Sequence, residues 1–125
     1  MTGDAAGTSV TPVLDIRTYK LRRGRRARFD RILREEALPL LQRVGIDVVC
    51  FGPSLVDDDH YLLVRGFASR AERDEQLRSF YGSEAWQRRF AARVEPLIAS
   101  YHVVVTPASP FAISGGDAAV AAEQT

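Results

Sequence analysis

Asp15, Arg17 and Tyr19 stand at alternate positions in the run Asp15-Ile16-Arg17-Thr18-Tyr19, the two-residue period of a β-strand. An acid, a guanidinium and a phenol therefore share one face of a sheet. Tyr61, Leu63, Arg65 and Phe67 share a face of a second candidate strand and add another guanidinium with two aromatic rings. We expect Leu14, Ile16 and Thr18 to pack on helices, which turns Asp15, Arg17 and Tyr19 into a cavity with Arg65 beside Arg17. Tyr19, Tyr61, Phe51 and Phe67 then form its rim. Guanidinium forks bind carboxylates and stack on rings, so this set suits an anionic or enolised aromatic ligand. The same residues also fit a purely structural role. Arg17 would then pair with Asp15 or with an acidic residue of a second subunit, and the Tyr19 hydroxyl would meet a backbone carbonyl in the core.

Two residues are candidates for proton transfer. His102 lies on the last predicted strand and carries an imidazole, a side-chain type suited to a general base, and Asp15 is the second candidate. His102 reads equally well as a hydrogen-bonded core histidine. The run Asp57-Asp58-Asp59-His60 is explained by turn formation, and no second cluster completes a coordination shell, so no metal is expected. There is no Gly-rich phosphate loop, Gly-x-Ser-x-Gly elbow, His-Glu-x-x-His or Cys pair, and no cofactor is expected. Any reaction would be limited to proton transfer, cyclisation or oxygenation of a substrate carbanion. Trp86 and Phe80 read as packing residues, and Cys50, the single cysteine, as a buried small hydrophobe that excludes an intramolecular disulfide.

The elements that position these groups follow from periodicity. Val13 to Leu21 reads as a strand ending at Arg23-Gly24. From Arg25 to Val44 the apolar residues Phe29, Ile32, Leu33, Ala37, Leu40, Leu41 and Val44 recur at helical spacing. Pro39 predicts a kink or a short break there, because it cannot donate to the Glu35 carbonyl. Gly45 suits the left-handed position past a helix end. Ile46 to Gly52 and Tyr61 to Phe67 form an antiparallel pair of strands. Ser69 and Glu72 make a capping box for a helix to about Tyr81, and Ser83 caps a further helical stretch through Ile98, distorted at Pro96. Tyr101 to Thr106 is the last strand.

The order strand, helix, strand, strand, helix, strand predicts an α+β, ferredoxin-like βαββαβ fold with a four-stranded antiparallel sheet. Such a sheet leaves one face bare, with Val49, Phe51, Leu63 or their neighbours exposed, so a homodimer is expected to cover it. Residues 1–11 and 108–125 read as flexible tails around a domain of residues 12–107. With 46% hydrophobic and 26% charged residues the composition is that of a soluble globular protein. No apolar run is long enough for a membrane span, the first residues lack a signal-peptide pattern, and a cytoplasmic location is expected. The net charge of +1 conceals a basic segment from Lys20 to Arg34. Those arginines fall mostly on the polar face of the first helix without interleaved aromatics, which argues against nucleic acid as a partner.

Taken together, Asp15-x-Arg17-x-Tyr19-x-Leu21-x-x-Gly24, Leu38-Pro39-Leu40-Leu41-x-x-x-Gly45, Ala71-Glu72-Arg73 and Phe80-Tyr81-Gly82-Ser83-x-x-Trp86 resemble the NIPSNAP family. The resemblance implies a dimeric α+β barrel in which two ferredoxin-like halves enclose a cavity between their sheets. It implies no particular reaction. Asp15 stands where that family commonly has Glu, and Arg23 precedes Gly24 where Pro is usual. The expectation is a homodimer that binds a small polar or anionic, aromatic molecule. The alternatives are a cofactor-independent monooxygenase, isomerase or cyclase, and a non-catalytic interaction or scaffold module.

Overall fold

The computed structural model describes residues 11–109; the expected tails lie almost wholly outside the described residues. The chain folds as β1 (Val13–Leu21), α1 (Arg26–Ile32), α2 (Leu38–Arg43), β2 (Asp47–Pro53), β3 (His60–Phe67), α3 (Arg70–Tyr81), α4 (Ala91–Val94) and β4 (Ile98–Pro107). The four strands form an antiparallel sheet in the order β2-β3-β1-β4, the ferredoxin-like arrangement that the alternation of elements predicts. β1 is central and pairs Asp15 with Arg65 on one side and with Val105 on the other.

Helices cover one face of the sheet only. Leu21, Phe29, Ile32, Leu41, Tyr61, Leu63, Phe80 and Phe90 meet in the core between the two layers, each 5% exposed or less. Burying side chains of this size supplies about 1.5–3 kcal/mol apiece against the entropy of ordering the chain. Gly45 ends α2 in the left-handed conformation at φ +84°, as its place after the apolar stripe predicts. At α3 the Ser69 hydroxyl accepts from the Glu72 amide at 3.1 Å, and the Ser83 hydroxyl likewise accepts from Trp86.

The two helical segments are interrupted in related ways. α1 and α2 are joined by a π-helical turn, Leu33–Ala37, and α4 is preceded by another, Trp86–Phe90. In the first, the Leu38 amide reaches the Leu33 carbonyl five residues back. Pro39 has no amide for the Glu35 carbonyl, and the chain absorbs that loss as a widened turn just upstream rather than as a kink at Pro39. Pro96 lies in a 3₁₀ turn, Glu95–Leu97, and β4 begins at once at Ile98, three residues earlier than expected.

The covered face is the one carrying Asp15, Arg17 and Tyr19, which reverses the expectation. Val13, Tyr19 and Leu21 have the same parity and are buried, as are their neighbours Tyr61, Leu63 and Phe67 on β3. These large side chains fill the helix–sheet layer and carry Asp15 and Arg17 in with them. Leu14, Ile16 and Thr18 lie on the open face instead, with Leu62, Val64, His102 and Val104. Phe51 and Leu63 belong to the helix side, so the open face is not built from them. Cys50 is exposed on the edge strand β2, not buried.

Candidate anion-binding site

Asp15 on β1 has no exposed surface, and Arg65, directly across the ladder on β3, is 1% exposed. Two full charges at such depth require close partners. Arg65 Nη2 donates to Asp15 Oδ1 at 3.3 Å. Arg73 reaches in from the first turns of α3 and donates to Asp15 Oδ2 through Nε at 2.9 Å and Nη2 at 2.7 Å. Its Nη1 also holds Asp74 at 2.9 Å. Both oxygens of Asp15 thereby accept from guanidiniums, the contacts of a structural counter-ion.

Arg17 is placed differently. Its Nε lies 3.9 Å from Asp15 Oδ1, beyond hydrogen-bond range, and its Nη1 donates to the Tyr81 hydroxyl oxygen at 3.3 Å. The guanidinium carbon sits 5.7 Å from the Tyr81 ring centroid and 5.2 Å from that of Tyr101, held between two π faces. Arg65 Nη1 donates to the same Tyr81 oxygen at 3.0 Å. The Nε atoms of Arg17 and Arg65 are buried and have no hydrogen-bond partner among the described residues. Arg17, Arg65 and Arg73 face Asp15 and Asp74, which leaves an excess of one positive charge.

Beside this cluster is a small cavity of about 30 Å³, roughly room for one water, lined by Tyr19, Arg65, Tyr81 and Trp86 among apolar side chains. Leu33 and Ala37 of one π turn and Trp86 of the other also line it. Widened turns of this kind recur at functional sites. Trp86 packs edge-on against Tyr81 at 5.0 Å and stacks on Phe90 at 5.7 Å. On the β4 side the helices stop short, and Tyr101 is 55% exposed beside Arg17.

Environment sets the ionisation of the surrounding groups. Burial, reinforced by the nearby Tyr81, pushes the Tyr19 phenol well above its ordinary value against the opposing pull of Arg17 and Arg65. Burial works against the charge of Arg65, but Tyr81, Tyr19 and Asp15 outweigh it and strengthen its hold on the proton.

The structure thus brings Arg17, Tyr19 and Arg65 together, under the helices of the same chain. Tyr61 stands directly across the ladder from Tyr19, and Phe51 pairs with Leu63 from the edge strand β2. Tyr61 donates to Asp30 Oδ1, and Phe51 packs beneath the Arg34 guanidinium at 5.2 Å. Phe67 is buried in the core. His102 pairs with Thr18 on the opposite face of the sheet from Asp15, so the two proton-transfer candidates do not meet. Asp57 takes the amides of Asp59 and His60 on Oδ1 and faces His60 Nδ1 at 3.0 Å, the turn-forming role read for that run. Among the described residues no cluster of His, Cys, Asp and Glu could hold a metal ion, and no helix is long and apolar enough to cross a membrane. Arg73, Tyr81 and Trp86 were not expected at the site. Their signal lay in the runs Ala71-Glu72-Arg73 and Phe80-Tyr81-Gly82, whose residues had no assigned chemistry.

No family model matches the chain, and no curated protein matches it significantly. Solved structures do. A NIPSNAP family protein from Agrobacterium tumefaciens superposes with a TM-score of 0.72 at 20% identity, over 82% of this chain and 90% of its own. An uncharacterized NIPSNAP-like domain protein from Burkholderia xenovorans gives 0.72 at 13% identity, over 84% and 88%. A candidate antibiotic biosynthesis monooxygenase from Caulobacter crescentus gives 0.63 at 18% identity, over 80% and 92%. The fold is therefore that of the NIPSNAP structures, in support of the resemblance read in the sequence, and it is shared with the monooxygenase-type neighbour.

Proposed function

We propose that this chain, a NIPSNAP-like α+β domain, is a cytoplasmic homodimer that binds a small polar or anionic organic molecule with an aromatic body. The observation that carries the reading is the convergence of the Arg17 and Arg65 guanidiniums, in a cluster with one excess positive charge, with Arg65 lining a cavity walled by Tyr19, Tyr81 and Trp86. A buried excess of positive charge is costly, and an anionic ligand would supply the missing counter-charge. The binding place in this reading lies between sheet and helices within each subunit, not between two sheets, and because the cavity there holds about one water, an aromatic body enters only as the half-buried Tyr81 moves aside.

The dimer rests on a separate feature. Leu14, Ile16, Leu62 and Val104 form an apolar surface on the uncovered sheet face, with Val104 56% exposed, and a second copy packing sheet to sheet would bury it. Native mass spectrometry of the purified protein, repeated under denaturing conditions, tests both parts. The expected result is a dimer that releases a discrete small acid or phenol. A dimer with neither a bound mass nor affinity for any aromatic acid refutes the ligand, and a monomer refutes the assembly.

A further inference from the structure

The run Phe80-Tyr81-Gly82 ends α3, and its tyrosine oxygen stands where two guanidiniums converge. Arg17 Nη1 and Arg65 Nη1 approach it at 3.3 and 3.0 Å from opposite strands. A phenol oxygen that accepts from two cationic donors makes the contacts that a carboxylate or phenolate oxygen would make. We infer that the Tyr81 hydroxyl is a built-in stand-in for the ligand's oxyanion, and that an aromatic carboxylate or phenolate enters by displacing it from Arg17 and Arg65. This rests on the anion-binding reading above and adds to it how the site is held before the ligand arrives.

Three further observations agree with a displaceable residue. Both bonds are longer than the 2.7–2.9 Å usual for charged pairs, so Tyr81 is a weaker partner than a full anion. Tyr81 is the last residue of α3, followed by Gly82 and by Ser83, whose hydroxyl caps the next helical stretch, so its backbone lies at a joint between two segments. Its ring is half-buried and contacts Phe80 and Trp86 edge-on at 5.1 and 5.0 Å, so one side of it is open to solvent.

The test uses benzoate as the anion and benzamide as its neutral counterpart, titrated calorimetrically into the full chain. Trp86, the only tryptophan, reports on Tyr81 through near-ultraviolet circular dichroism. Benzoate should bind and change the Trp86 signal, while benzamide should not bind. Tyr81→Phe keeps the ring and its packing but removes the competing oxygen, and it should bind benzoate at least about tenfold tighter. Arg17→Gln should abolish binding in either background. Equal or weaker binding by Tyr81→Phe, with its thermal melt intact, overturns displacement while leaving the anion site standing. So does benzoate binding that leaves the Trp86 signal unchanged. If neither the parent chain nor Tyr81→Phe binds benzoate, both the displacement and the anion reading are overturned.

Discussion

Replacing Asp15 with asparagine tests whether the buried cluster is held together by charge. The side chain keeps its volume and one acceptor oxygen, but the charge that Arg65 and Arg73 share is gone and an amide must face one of them. Removing one partner of a buried ion pair costs about 3–5 kcal/mol, because the remaining charge stays desolvated. The retained acceptor places the expected loss near the lower end, about 3 kcal/mol, a large part of the roughly 5–15 kcal/mol available to a small domain. At about 4–8 °C per kcal/mol for a domain of this size, the midpoint should fall by roughly 12–24 °C. Urea denaturation followed by far-ultraviolet circular dichroism measures it directly. Arg73→Met made alone and in the Asp15→Asn background completes a double-mutant cycle. Arg73 bonds Asp15 through two nitrogens, so the coupling should be about 1.5–3 kcal/mol. A loss under about 1 kcal/mol for Asp15→Asn, with additive changes in the cycle, would refute the claim that Asp15 is the counter-ion of the site.

Other consequences follow from the same geometry. Tyr61→Phe removes a bond to Asp30 from a residue that is 1% exposed and should cost about 1–2 kcal/mol in the same urea assay. The Asp57 carboxyl is lowered to about 2 by the Asp59 and His60 amides, so its contribution is present above the ordinary aspartate value and is lost as pH falls from about 4 toward 2. Asp57→Asn should flatten that part of the stability–pH curve. Burial raises Tyr19, and burial with the Asp30 bond raises Tyr61, so both phenols contribute stability that is fully present below pH about 10 and is lost progressively as pH rises above it. Their ionisation, read by absorbance at alkaline pH, should coincide with unfolding. Val104→Glu changes an exposed residue of the open sheet face and should yield a folded monomer in light scattering if that face is the dimer contact.

Local pattern was enough to determine most of the architecture. The alternation in Val13–Leu21, the apolar spacing of Phe29, Ile32, Leu33 and Leu41, the Ser69 and Ser83 caps and Gly45 each depend on a few neighbouring residues, and together they specify the order of elements. The same alternation places Asp15, Arg17 and Tyr19 on one face. It cannot say which face is covered, because both faces of β1 and β3 are apolar: Val13, Leu21, Leu63 and Phe67 on one, Leu14, Ile16, Leu62 and Val64 on the other. That choice belongs to tertiary structure. Arg73 arrives from 58 residues away to neutralise Asp15, and Tyr81 from 64 residues away to meet Arg17, so a charged strand face becomes tolerable under the helices only once α3 has docked. The π turns are likewise a product of packing, since Pro39 announces a missing bond but not how neighbouring residues redistribute it. The residues fit to do chemistry were determined by the sequence itself; their placement between sheet and helices, with His102 on the far side, was decided by burial and by charges that meet only in the folded chain.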